Sequence, residues 1–250
     1  MEPISALALL AASPFVGSFL GTLILRLPAD RPVVGGRSQC DACGERLGVR
    51  DLVPLLSWAT ARGRCRHCGT ALSPFYPAIE LAAVAVAAWC LAIFPPELLW
   101  PSALLGWTLL ALAEIDRRHF WLPDRLVLPL IAFGLVVRGW QGSEPLITGS
   151  IGAAAGYLSL SLIDWTYRRL RGRPGLGQGD AKLFAAAGAW SGWAGLPEIL
   201  LIGAFASILL AFLRTGGRGV PSADTAVPFG PGLAVGTWLV WSFGPVFISA

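Results

Sequence analysis

Four cysteines come in two matched units, CDACG at 40–44 and CRHCG at 65–69, with 21 residues between the pairs. The two-residue spacing lets both sulfurs of a unit reach one ion, and the glycine that follows frees the backbone for a turn whose amides face the sulfurs. Cys40, Cys43, Cys65 and Cys68 together would complete a tetrahedral zinc shell; two disulfides are the other pairing the spacing permits. Four thiolates leave no open coordination position. A zinc ion held this way is structural, bracing a segment too small to build a core of its own. His67, between the last two cysteines, reads either as a substitute ligand or as a solvated knuckle residue. Cys90, in an apolar run, reads as a small buried hydrophobe.

The second group of reactive residues is acidic. AEIDRRHFWLPDRLVLPL carries Glu114, Asp116 and Asp124, and GLGQGDAKLFAAAGAW carries Asp180 and the chain's only lysine, Lys182. Both stretches adjoin long apolar runs, where an ionisable group is costly unless paired or wetted. If packed helices bring Asp116 and Asp180 together, both cannot ionise easily and the pair shares a proton. The ionised member can then take a proton from water while its partner protonates a scissile carbonyl, which is peptide hydrolysis without a covalent intermediate. Gly175, Gly177 and Gly179 would let a substrate backbone approach Asp180. The rival reading of the same carboxylates is an ion or proton pathway. Their neighbours have simpler readings: Asp124, after Pro123, as a helix N-cap rather than an acid, and Asp164, beside Trp165, as an ordinary helix-end charge in an interfacial belt. Glu114 reads as a solvated neighbour or a tuning charge, and His119 as part of a wet turn. Lys182 either biases the pair or snorkels to headgroups.

The elements that must position these groups are membrane helices. Of 250 residues, 55% are hydrophobic, and the mean hydropathy is +0.64. The apolar residues fall in long runs, so the fold class is all-α, a polytopic membrane protein. Eight runs are long enough to be candidate spans, near 4–25, 77–95, 98–115, 122–140, 145–163, 181–195, 197–213 and 228–248. The sixth is short and rich in alanine and glycine. The first is too long for a signal peptide and lacks a basic start, so it is expected to be a retained span. In an eight-span arrangement eighteen of the nineteen basic residues fall on one side, leaving Arg138 on the other. By the positive-inside bias that side is the cytoplasm. There the cysteine loop meets a reducing environment, which argues for zinc over disulfides. The net charge of +4 is mostly topology; no nucleic-acid partner is expected, because no basic run is interleaved with aromatics on a soluble surface. The expected plan is a first transmembrane helix at 1–26, a small cytoplasmic four-cysteine zinc-knuckle module at 27–76, and a seven-helix membrane core at 77–250, surrounded by membrane lipid.

Five motifs in order along the chain resemble the bacterial type IV prepilin leader peptidases, membrane aspartic proteases of the GxGD class. GSFLGTLILRLP resembles the family's first span and its exit. SQCDACGERLGVRDLVPLLSWATARGRCRHCGTALSPFYPAIE is similar to its cytoplasmic cysteine domain, ending at Glu80. EIDRRHFWLPDRLVLPL looks like its first aspartate motif, GQGDAKLFAAAGAW its second, and VPFGPGLAVG its last span. The resemblance implies that Asp116 and Asp180 are the catalytic pair, with Gly177, Gly179, Lys182, Asp124 and Glu80 in supporting roles. It implies prepilins and type II secretion pseudopilins as substrates, cleaved after a short basic leader at the cytoplasmic face of the bacterial inner membrane. It also implies N-methylation of the new N-terminus from S-adenosylmethionine, an activity associated with the cysteine domain. Gly21 stands where the family usually has Asn, and Pro74 and Phe75 where a basic residue often precedes Tyr-Pro; both departures bear on methyl transfer and not on cleavage. The readings from other classes are a zinc-braced scaffold or ion/proton transporter without hydrolytic activity, and a related GxGD protease acting on different membrane peptides.

Overall fold

The structure, a computed structural model, describes residues 3–36, 38–40, 42–173, 175–214 and 227–245. Arg37 and Arg218, counted above among the cytoplasmic basic residues, lie outside the described residues, as does 246–248 of the last expected span. Within them the regular structure is helical, with two isolated antiparallel bridges. All eight apolar runs form helices. Among the described residues five helices are long and apolar enough to cross a membrane, which makes the chain a multi-pass membrane protein; the expected count of eight is reached only by adding three helices that do not meet that measure.

The chain divides into two compact units, Met1–Ala111 and Leu112–Ala250. In the first, α1 (Pro3–Arg26) packs along α3 (Phe75–Ile93). Glycine makes their approach possible: a Cβ on Gly17 would lie 2.6 Å from the Glu80 Cα. One turn further along α1, Gly21 leaves room for the Tyr76 ring, 3.2 Å from where a Cβ would stand. The early part of α4 (Leu99–His119) joins this unit through the Trp107 indole, which donates to the Ala83 carbonyl at 2.9 Å. Between α1 and α3 run the cysteine segment and a short helix, α2 (Leu56–Thr60).

The second unit contains the end of α4 and α5 (Asp124–Gln141), α6 (Ser143–Arg171), α7 (Gln178–Ser191), α8 (Leu196–Arg214) and α9 (Gly230–Phe243). At its centre α7 packs against α5, α6 and α9, and every residue from Leu183 to Trp190 is buried. Small residues allow that burial. Gly152 of α6 and Gly188 of α7 meet backbone to backbone, and a Cβ on Gly156 would come 2.6 Å from the Phe184 carbonyl oxygen. Such close approach is how helices associate where lipid offers no hydrophobic drive. The one large side chain on this helix end, Trp190, is fully buried, and its indole N–H donates to the Leu130 carbonyl at 3.0 Å.

Helix length sets what can cross the membrane. With 14 residues, α7 is about 21 Å long, short of the ~30 Å hydrocarbon core. The sixth expected span is therefore a short helix shielded by protein, starting at Gln178 rather than 181 and ending four residues early. α6 is the opposite case: 29 residues make about 43 Å. It runs well past the expected 145–163, and its Arg-bearing end extends beyond what a bilayer core can cover.

Candidate active site and cysteine centre

Asp116 lies in the last turn of α4, which ends at His119, and Phe120 takes a left-handed conformation with φ of 52° before the chain turns into α5. The Asp116 side chain is buried, 5% exposed. Its Oδ2 accepts the backbone N–H of Gly230 at 2.9 Å. Gly230 is the first residue of α9, so the carboxylate satisfies one of that helix's unpaired amides. A Cβ at Gly230 would fall 2.7 Å from Asp116 Oδ2; glycine is what lets the acid in.

Asp180 is the third residue of α7, and its N–H donates to the Gly177 carbonyl at 3.1 Å. Its Oδ2 lies 3.1 Å from where a Cβ on Gly177 would stand, and its charge is within interaction range of Asp116. Two contacts hold the start of α7 against the link between α4 and α5. Gly179 packs on Leu122, whose Cβ lies 2.9 Å from where a glycine Cβ would be. Lys182 Nζ donates to both oxygens of Asp124, at 2.7 and 2.8 Å. Asp124 thus does not cap α5: it is the helix's first residue, Pro123 holds the cap position, and no side chain caps the amides. Its carboxylate instead spans 58 residues to bind the chain's lysine. Lys182 is drawn into that pair rather than outward. Glu114 is neither isolated nor merely solvated; it receives Arg117 and Arg118 at 2.5–2.6 Å.

A residue read from the sequence as an ordinary end charge belongs to this site. Asp164, 9% exposed, accepts the amides of Gly175 and Leu176 on Oδ1, both at 3.1 Å, and Arg168 Nε on Oδ2 at 2.6 Å. The Asp164–Arg168 spacing of four residues looks like any helical ion pair, which hides the loop contact from a sequence reading. A cavity of about 300 Å³ beside it is lined by Tyr157, Leu160, Asp164, Arg168, Gly177 and Gln178 among others.

In the first unit the sulfurs of Cys40, Cys43, Cys65 and Cys68 lie within 4.8 Å of one another, with Cys40 and Cys68 Sγ 3.9 Å apart. All five cysteines, the buried Cys90 included, are free of disulfides. Metal–sulfur bonds of about 2.3 Å in a tetrahedron imply sulfur–sulfur edges near 3.8 Å, so the donor set fits a zinc-like ion. Each knuckle folds the same way. Cys40 N–H donates to Glu45 O and Cys65 N–H to Thr70 O; Gly44 and Gly69 turn back with φ of 70° and 74°. His67 is exposed and stands apart from the four sulfurs. The Thr70 hydroxyl, 3.3 Å from Cys68 Sγ, and its backbone hold that thiol down at about 6. Cys43 is pushed up to about 12, because burial and the Cys40 and Cys68 sulfurs outweigh the Glu45 amide. Crowded sulfurs that resist joint ionisation are what a divalent cation relieves.

Glu80 belongs to this unit and not to the aspartate cluster. Buried at 5% exposure, its Oε2 accepts the Leu55 amide at 2.7 Å. Leu55 has φ of 62° and ψ of −51°, and Leu56 N–H donates to Pro54 O at 2.6 Å, so the carboxylate clamps a strained three-residue turn. The structure therefore gathers Asp116, Asp180, Gly177, Gly179, Lys182 and Asp124 in one unit, and the cysteines with Glu80 in the other.

The comparisons with known proteins follow the same division. Residues 12–94 match the bacterial peptidase A24 N-terminal domain, and residues 103–212 match the type IV leader peptidase family. The chain is 44% identical to a prepilin leader peptidase/N-methyltransferase of Burkholderia pseudomallei, over 88% of this chain and 72% of the relative. It is 37% identical to one of Aeromonas hydrophila, with 93% and 88% covered, and 40% identical to one of Dickeya chrysanthemi, with 92% and 89% covered. No solved structure matches it. With relatives of this similarity along nearly its whole length, the chain belongs to the bacterial type IV prepilin leader peptidase/N-methyltransferase family.

Proposed function

We propose that the chain cleaves the leader peptides of type IV prepilins and type II secretion pseudopilins with Asp116 and Asp180, at the cytoplasmic face of the inner membrane. What supports this is that Asp116 and Asp180, in one compact unit and within range of each other's charge, each sit at a helix end against glycine, Asp116 on Gly230 and Asp180 on Gly177. One carboxylate holds a proton and the other does not. The ionised one accepts a proton from water as the hydroxyl adds to the scissile carbonyl carbon, and the protonated one donates to the carbonyl oxygen. Collapse of the tetrahedral species breaks the C–N bond: the departing nitrogen takes a proton from one carboxyl while a hydroxyl on the carbon gives its proton to the other, which restores the singly protonated pair and leaves a carboxyl group on the leader and an amine on the mature chain. Gly177 and Gly179 give the substrate strand its approach. The Lys182–Asp124 pair and Leu122 on Gly179 keep the two motifs in register.

The new amine is the acceptor of the second activity, N-methylation from S-adenosylmethionine, which supplies an electrophilic methyl group; no residue is assigned to hold that donor. Cys40, Cys43, Cys65 and Cys68 would hold a structural zinc ion. The orientation rests on the basic residues beside the aspartates, among them Arg117, Arg118, Arg168 and Arg169. The test is mass spectrometry of a synthetic prepilin N-terminus incubated with the purified protein, with and without S-adenosylmethionine. Cleavage after the leader glycine should fall at least about 10³-fold in Asp116→Asn and in Asp180→Asn, with each variant folded as the parent is. Cleavage persisting in both variants removes the aspartyl reading. Ion transport in proteoliposomes without any cleavage would establish the transporter instead.

A further inference from the structure

We propose that Asp164 is a positioning residue for cleavage: it fixes the glycine loop that presents Asp180. This inference rests on the peptidase reading. The loop between α6 and α7 contains Gly172, Gly175 and Gly177, and a chain so rich in glycine has much conformational freedom to lose. Asp180 depends on that loop, because its amide donates to the Gly177 carbonyl at 3.1 Å and its carboxylate lies against the same glycine. Something must hold the loop still.

Asp164 is placed to do so. Its Oδ1 gathers two successive loop amides, Gly175 and Leu176, at 3.1 Å each. Arg168, one turn on, donates to Oδ2 at 2.6 Å and fixes the side chain's own orientation. Bonds from amides to a carboxylate are charge-assisted and stronger than amide–carbonyl bonds. The loop is also seated on α6, since a Cβ at Gly175 would meet the Tyr167 ring at 2.5 Å. A carboxylate late in α6 thus sets where α7 begins and where Asp180 points. Both of its oxygens are engaged, Oδ1 by the loop and Oδ2 by Arg168, so its part is to hold the loop rather than to act on the reacting bond.

Two substitutions separate anchoring from charge. Asp164→Ala removes the acceptor; Asp164→Asn keeps an oxygen for both amides and gives up the charge. In Asp164→Ala, kcat for a prepilin peptide should fall about 10²-fold, the scale of a 1 Å misplacement, with KM little changed. Hydrogen exchange at the amides of 175 and 176 should speed up. Asp164→Asn should recover kcat to within about tenfold of the parent and keep those amides protected. Parental kcat in Asp164→Ala with unprotected amides overturns the proposal, as does equal loss in both variants with the amides still protected. If the alanine variant does not fold, Asp164→Asn decides: parental kcat with both amides unprotected overturns it, and protection retained with kcat supports it. A parent protein that cleaves no prepilin overturns the peptidase reading itself, and this role falls with it, whatever the exchange pattern.

Discussion

At the scale of single residues, the environment of Asp116 makes a demand on another position. Its carboxylate fits only because Gly230 has no side chain: a Cβ there would stand 2.7 Å from Oδ2 and 2.9 Å from Cγ. Gly230→Ala should therefore push the acid off the α9 amide and lower cleavage between about tenfold and a hundredfold. Thermal unfolding in detergent should show a loss of about 1–3 kcal/mol, typical of overpacking. A normal rate in that variant would mean that Asp116 does not need its place at the helix end. The two aspartates were legible in the sequence because each sits in a short local motif next to an apolar run. Gly230 was not, because it meets Asp116 across 114 residues of chain, a distance that no local pattern encodes. Asp164 was hidden for another reason: a carboxylate four residues before an arginine satisfies the ordinary helical explanation, and nothing local shows that its other oxygen has partners eleven and twelve residues further on. Asp124 was misread as a cap because the signal for an N-cap and that for an acidic first-turn residue differ by one position.

Helices, taken as units, show why the sixth apolar run was the hardest to interpret. α7 contains too few residues to cross a bilayer and is instead enclosed by α5, α6 and α9. Its alanines and glycines serve backbone contact, so its hydropathy is modest where its burial is greatest. Hydropathy reports contact with lipid, and that is why the lipid-facing runs were readable as helices while α7's boundaries slipped by several residues. The contact between Gly152 and Gly188 is the tightest point of the α6–α7 packing. A side chain there must force the helices apart. Gly188→Leu should cost about 1–3 kcal/mol or more of stability, and it should slow cleavage as well, because α6 carries the anchor and α7 the aspartate. An unchanged unfolding temperature would show that the two helices are less tightly seated than these contacts require. The Lys182–Asp124 pair is a weaker device. With side chains 27% and 53% exposed, it is worth no more than about 1 kcal/mol, so its value is in register rather than in stability.

Across the whole molecule, the cysteine cluster and the aspartates belong to different compact units: the four cysteines and Glu80 to Met1–Ala111, the aspartates and every residue that fixes them to Leu112–Ala250. The matched family regions part at nearly the same place, 12–94 against 103–212. The cysteine pairs were fully legible, since a spacing of two with a following glycine dictates the knuckle directly. The clamp of Glu80 on the strained Leu55 turn was not, as it joins α3 to a loop 25 residues earlier. Through that clamp the cysteine segment is tied to the helix pair α1–α3, and loss of the metal should loosen the segment without reaching the aspartates. Replacing Cys40 and Cys65 together with serine should reduce bound zinc from about one equivalent per chain to near zero. Methyl transfer to a pre-cleaved pilin should then be lost, while cleavage of the prepilin stays within about tenfold of the parent, the range of indirect effects on geometry. Metal analysis and the two mass-spectrometric assays on one preparation decide the matter. If cleavage and zinc disappear together, the metal supports the active aspartates as well, and the two units do not work separately.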